Sequence, residues 1–157
     1  MTEGRQAGVG EATLKGLRAA AHEARVMNWS PYTGAVVVAA VRTTQGQYVG
    51  GSNVEIANIS LSKHAEESAV LVALAGGAMV DADGTTSVRC IEAVYTSAAP
   101  CGSCRQFLLE FATEECVVYI DDQPGDPEPT RFRDLLPRPF TPERQLAAGG
   151  RVQADHA

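Results

Sequence analysis

Apolar positions set out the elements before any chemistry is considered. Leu14, Leu17, Ala21 and Ala24 recur at i, i+3, i+7 and i+10, which places them on one face of a helix. Pro31 and Gly34 end that helix in a turn. Ala35 to Val41 is an unbroken, valine-rich run, the pattern of a buried strand. Gln45-Gly46 reads as a hairpin turn, with Tyr48 to Val54 returning as a second strand. Asn58 to Ser62 is a polar loop. Ser62 is placed to cap a helix over Lys63 to Ala75, because Ser62, Glu66 and Glu67 suit a helix N-terminus. Gly76-Gly77 stops that helix, and Asp81 to Ser87 is a loop. Arg89 to Thr96 is strand-like. Gly102 to Thr113 reads as a third helix, with Phe107, Leu108 and Phe111 continuing the Cys104 face. Cys116 to Ile120 is a strand. Asp121 to Pro129 is dense in aspartate and proline and reads as loop, and Phe132 to Leu136 as one helical turn.

The resulting order, α-β-β-α-β-α-β, predicts a mixed sheet with helices packed on its faces. Each crossover helix follows a strand or loop, so His64 and Cys101 are expected at one sheet edge, near two helix N-termini. Those positive dipole ends favour thiolates. Residues 1–10 and 144–157 are expected to be flexible. No repeat or linker divides the 157 residues, so one domain with one core is predicted.

Composition narrows the class. Apolar residues make up 45% of the chain, as in soluble globular proteins. No run approaches the roughly 18 apolar residues of a membrane span. Met1 to Gly10 lacks the basic-then-apolar pattern of a secretory leader, so a cytoplasmic location is expected. The net charge is −6 and the aromatic fraction 6%. Polynucleotide binding leaves a basic footprint, so no nucleic-acid partner and no membrane partner are predicted, and a free base or nucleoside fits better.

Of the four cysteines, Cys90 and Cys116 lie beside apolar runs and read as small core residues. Cys101 and Cys104 form a C-x-x-C pair after Pro100. A lone pair of this kind serves redox chemistry, structural zinc or nothing. Structural zinc needs four ligands, and only one such pair exists. His64-Ala65-Glu66 lies upstream, and His64, Cys101 and Cys104 together supply three ligands with a fourth position open, the arrangement of a catalytic zinc (Zn2+) site. His64 alone would read as a core histidine and Glu66 alone as an ordinary first-turn acid; His22 and His156 have no such company and read as solvated. The joint pattern H-x-E then P-C-x-x-C is the known signature of zinc-dependent nucleobase deaminases. In that chemistry zinc lowers the pKa of water from 15.7 to roughly 7, the hydroxide attacks C4 of cytosine, and Glu66 carries protons. Two thiolates and a neutral histidine leave the shell formally neutral.

With these motifs the chain resembles the small, homotetrameric cytidine deaminases, over about Trp29 to Phe140. Ser30-Pro31-Tyr32-Thr33, Gly51-Ser52-Asn53-Val54-Glu55, Pro100-Cys101-Gly102-Ser103-Cys104-Arg105-Gln106 and Leu135-Leu136-Pro137 with Phe140 stand in that family's order. The resemblance implies a three-layer α-β-α fold with a mixed five-stranded sheet. It implies a homotetramer, a nucleoside substrate and pyrimidine salvage. It assigns Asn53 and Glu55 to the ribose 3′-hydroxyl, since an amide and a carboxylate together donate and accept; a polar strand end is the lesser alternative. It assigns the Ala65 backbone to the base carbonyl, and Phe140, otherwise a packing residue, to a neighbouring subunit's site.

Several positions depart from the family. His64 stands where it usually has a third cysteine, and Glu67 where it often has arginine. A histidine removes the net negative charge that three thiolates leave, so no arginine is needed to offset it. Ala35 stands where a phenylalanine usually packs against the pyrimidine, which leaves space. Ile56 and Asn58-Ile59 also differ. A modified cytosine nucleoside, including an antibiotic of the blasticidin S type, therefore stands beside cytidine and deoxycytidine as substrate. A catalytically inactive nucleoside binder and a structural zinc protein are the rival classes.

Overall fold

The computed structural model describes residues 3–80, 84 and 88–149. The predicted loop from Asp81 to Ser87 falls, apart from Gly84, outside the described residues, as do His156 and the tail beyond 149. The chain begins with α1 (Glu3–Ala24) and a hairpin of β1 (Val38–Thr43) and β2 (Tyr48–Ser52). Then come α2 (Ala65–Ala75), β3 (Ile91–Thr96), α3 (Gly102–Leu109) and β4 (Ala112–Ile120). It closes with β5 (Pro129–Arg131), α4 (Phe132–Leu135) and α5 (Pro142–Gly149).

The strands form one mixed sheet in the order β2-β1-β3-β4-β5. β1 is antiparallel to both β2 and β3, β3 is parallel to β4, and β5 is antiparallel to β4. β2 and β3 therefore run the same way, and α2 and α3 both begin beyond the carboxyl ends of like-directed strands. Ligand sites of open α/β sheets form at that edge.

Alternation along the strands divides the core in two. Leu14, Leu17 and Ala21 of α1 pack on Ala40, Ala93, Tyr95 and Tyr119. On the opposite face Ala69, Val70 and Ala73 of α2 and Leu108 of α3 pack on Val41, Ile91, Val94 and Val118. Cys90 and Cys116 are fully buried in this second cluster, as core residues should be. Each fully buried aliphatic side chain contributes roughly 1.5–3 kcal/mol. The result is helix, sheet, helix, with α1 as the helix packed on one face among the described residues. Two glycines let both helices approach β2. A Cβ on Gly50 would lie 2.1 Å from the Ala20 carbonyl oxygen, and one on Gly51 would lie 2.2 Å from the Ala69 nitrogen. Gly51 thus sets the height of α2, and with it the height of His64 and Glu66.

Several boundaries differ from the sequence reading. α1 starts at Glu3, not after Gly10, since extending an existing helix is far easier than nucleating one. β1 starts at Val38, because side-chain bonds from Asn53 hold Ala35–Val37 away from ladder geometry. α3 ends at Leu109, and β4 begins at Ala112. β5 lies at the end of the stretch read as loop. Its three residues carry no periodic signal, and Pro129 is tolerated at the start of an edge strand. α5 occupies the start of the tail. Its signature, Thr141 followed by proline at the first helical position, is in the sequence, and the Arg144 N–H donates to Thr141 Oγ1 at 3.3 Å.

Candidate active site

Three chain segments zip together at the carboxyl edge of the sheet. Val54 and Lys63 exchange backbone hydrogen bonds of 2.9 Å each way, and the Glu55 N–H donates to the Trp29 carbonyl at 2.7 Å. This places Asn53 and Glu55 alongside the start of α2. His64, not Ser62, is the N-cap of α2, and its own N–H donates to Glu67 Oε2 at 3.1 Å. Ser62 Oγ instead accepts the Ile56 N–H at 3.0 Å. Glu67, also within 3.8 Å of Lys63 Nζ, is therefore a capping residue that fixes the backbone of His64. Cys101 is likewise the N-cap of α3, its sulfur accepting the Cys104 N–H at 3.5 Å.

The two helix starts bring three donors into a triangle. His64 Nδ1 lies 3.2 Å from Cys104 Sγ and 3.3 Å from Cys101 Sγ, and the sulfurs are 3.6 Å apart. This is the one group of three or more metal-binding side chains among the described residues. Tetrahedral zinc, with bonds near 2.3 Å to sulfur and 2.0 Å to nitrogen, asks for donor separations of roughly 3.5–3.8 Å. The observed edges fit with small adjustments. The electrostatics also ask for a cation. Cys104 is buried while His64 and Cys101 are exposed. Burial first, then the charge and hydrogen bond of Glu66, and then Cys101, push the Cys104 thiol far above its ordinary range. A bound divalent ion reverses that balance and deprotonates a coordinating thiol outright.

Glu66 is 3% exposed and sits between the triangle and the sheet. Its Oε2 is 3.3 Å from Cys104 Sγ, and its Oε1 is 3.1 Å from Thr96 Oγ1. Thr96 ends β3 and is fully buried.

A cavity of about 310 Å³ opens in front of this group. His64, Ala65, Glu66, Cys101, Asn53 and Glu55 all border it. Ala65 is the first residue of α2, so its N–H has no acceptor within the helix. Asn53 Oδ1 accepts from Asn28 Nδ2 at 2.7 Å and from the Val37 N–H at 2.8 Å, while its Nδ2 donates to the Ala35 carbonyl at 3.0 Å. Glu55 Oε2 accepts the N–H groups of Tyr32 and Thr33 at 3.0 and 3.1 Å, and Oε1 accepts the Thr33 hydroxyl. The Thr33 hydroxyl, ahead of the two backbone donors, holds the Glu55 carboxyl below its usual range.

Two more residues singled out from the sequence do not border this cavity, and the resemblance assigns Phe140 to a neighbouring subunit's site and not to this one. Ala35 is exposed and is not part of the cavity wall, where Val37 stands instead. Phe140 is 54% exposed, and its carbonyl accepts from Gln106 Nε2 at 2.7 Å. Conversely Thr33, Ser62, Lys63 and Ala98 line the cavity, and the sequence assigned none of them to it. Their contribution comes from loops without periodicity. Thr96 carried one signal, a hydroxyl closing an apolar strand just before the metal-ligand loop.

Comparison with known proteins agrees with this geometry. Residues 11–120 match the family described as the cytidine and deoxycytidylate deaminase zinc-binding region. A cytidine deaminase of Sporosarcina psychrophila is 32% identical over 130 residues, covering 81% of this chain and 90% of that protein. One from Mycobacterium tuberculosis is 35% identical over 127 residues, covering 79% and 86%. The crystal structure of cytidine deaminase from Burkholderia pseudomallei superposes with a TM-score of 0.67 at 33% identity, covering 79% of this chain and 96% of that one. The five-stranded sheet, the two ligand-bearing helix starts and these matches lead to one assignment: the chain belongs to the zinc-binding cytidine and deoxycytidylate deaminase family.

Proposed function

We propose that this chain hydrolyses the exocyclic amine of cytosine nucleosides, giving the uracil nucleoside and ammonia. The observation that carries the reading is the position of Glu66. Its Oε2 lies beside the donor triangle, 3.3 Å from Cys104 Sγ, in the same cavity as Asn53, Glu55 and Ala65. His64, Cys101 and Cys104 would hold zinc. The metal supplies a Lewis acid that brings the pKa of water down to about 7.

The rest falls to the protein. Glu66 takes the proton that water gives up as its oxygen adds to C4, and places it on N3. It then takes the proton of the hydroxyl now on C4 and delivers it to the amine as the C4–N bond breaks, which leaves a C4 carbonyl and ammonia. The Ala65 N–H holds the base carbonyl. Asn53 has one amide N–H uncommitted. Glu55 accepts three hydrogen bonds of the roughly four a carboxylate can take. One donor and one acceptor remain, which is what a single ribose hydroxyl requires.

Zinc-loaded protein assayed for ammonia release with cytidine, deoxycytidine and ring-substituted cytosine nucleosides tests the proposal. Turnover that is lost on chelation and restored by zinc is expected. Silence across the whole panel with zinc bound would sink the reading in favour of a nucleoside binder.

The same reading extends to assembly and setting. Four copies would pack around the exposed apolar side chains of Val26, Met27, Trp29, Tyr32, Leu61 and Phe140, with Phe140 reaching a neighbour's cavity. Unbridged thiols are typical of reducing compartments, which supports placing the enzyme in cytoplasmic pyrimidine salvage; a tagged copy fractionating outside the cytoplasm would remove that placement.

A further inference from the structure

We infer that Thr96 is a positioning residue for Glu66, an inference that rests on the deaminase reading of the site. Thr96 is the last residue of β3 and fully buried. Its backbone is locked in the sheet, paired with Ala39 on one side and Ile120 on the other, and its carbonyl accepts the Asp121 N–H at 2.9 Å. A β-branched side chain on such a backbone has little χ1 freedom, so its hydroxyl is a fixed point. That hydroxyl lies 3.1 Å from Glu66 Oε1 and 2.8 Å from the Ala98 carbonyl oxygen.

Glu66 has few other means of being oriented. It enters from α2, across the cavity floor from the sheet, and its second oxygen is the one beside Cys104 Sγ. Tethering Oε1 to Thr96 turns Oε2 toward the donor triangle. Without the tether the carboxyl group can rotate, and a misplacement of about 1 Å at a reacting group costs on the order of 100-fold in rate. The second contact matters too. Ala98 borders the cavity and lies in the short segment leading to Pro100 and Cys101. A hydroxyl carries one proton, so Thr96 donates either to the charged Glu66 carboxylate or to the Ala98 carbonyl, and it joins both only while Glu66 carries a proton in transit and donates it to Oγ1. Thr96 itself is not part of the cavity wall, so it acts through Glu66 and not on the substrate.

The test compares wild type, Thr96→Val and Thr96→Ser as zinc-loaded protein. Valine keeps the shape and removes the hydroxyl. We expect Thr96→Val to hold zinc at the wild-type stoichiometry and to lose roughly 10–100-fold in kcat, with KM for the nucleoside within about twofold. Thr96→Ser should recover most of the loss. Crystal structures supply the readout apart from activity: the Glu66 carboxyl should leave Cys104 in Thr96→Val and keep its place in Thr96→Ser. A Thr96→Val protein with kcat within twofold of wild type, or with Glu66 unmoved, overturns the inference. So does a loss in which KM rises in step with the fall in kcat, or one that serine does not rescue. If wild type deaminates nothing, the functional reading falls, and the orientation of Glu66 in the two variants still decides the tether.

Discussion

At the scale of single residues, the site is a set of polar side chains with divided duties. In the proposed reaction Glu66 is the group that moves protons, so replacing it should separate binding from turnover. Glu66→Gln keeps the size and the contact with Thr96 but cannot carry a proton. It should retain zinc and nucleoside binding and lose roughly 100–10,000-fold in kcat, read from metal content and single-turnover assays. Activity within tenfold of wild type would show that another group moves the proton. Glu67 shows what a residue reading alone missed. Its replacement of the family's arginine is explained in sequence by charge balance around the metal. In the structure it also has a backbone role, accepting the N–H of His64. A local hydrogen bond of this kind depends on where the helix starts, and the sequence placed that start two residues early, at Ser62.

At the scale of elements, the segment from Ser30 to Val37 is held in place by two side chains of its neighbour and not by a ladder of its own. Glu55 gathers Tyr32 and Thr33, and Asn53 gathers Ala35 and Val37. The Glu55 carboxyl has a folded pKa below its ordinary 4.5. Its contribution to stability is therefore fully present above about 4.5 and is lost as pH falls through the lower folded value. Glu55→Gln should be less stable than wild type at neutral pH, and the difference should shrink on acidification, followed by urea midpoints from about pH 7 to pH 3. A difference that stays constant across that range would detach the carboxylate from the loop. The long helices and the β1–β2 hairpin were legible because apolar spacing and Gln45-Gly46 announce them. β5 was not, since three edge residues have neither alternation nor length, and only pairing with β4 defines them.

At the scale of the molecule, two layers of helix close on one sheet, and glycines at adjacent positions of β2 set both spacings. Gly50 faces α1 and Gly51 faces α2, so Gly51, which opens a family motif in the sequence, is also the contact that brings His64 and Glu66 down to the site. The same view exposes an apolar rim near the cavity mouth, where Ile59 is 56% and Leu61 59% exposed. Light scattering of the purified protein should give the mass of four chains. Met27→Asp with Leu61→Asp should shift that mass downward, because charges in an apolar interface lose their water without gaining partners. A wild-type monomer at assay concentration, with full activity, would remove the proposed assembly.

What the sequence determined by itself was the chemistry and its order along the chain: the H-x-E and P-C-x-x-C groups, the helices that start on them, and the strand that leads to Cys101. Those signals are local, since ligand identity and apolar spacing are written in consecutive residues. The tertiary structure alone decided which donors meet within 3.6 Å, which residue caps α2, and which hydroxyl turns Glu66 toward the metal ligands. It also decided that Val37, and not Ala35, lines the cavity. Each of these depends on contacts between segments tens of residues apart, whose register is set by the packing of helices on a sheet and has no trace in any one segment.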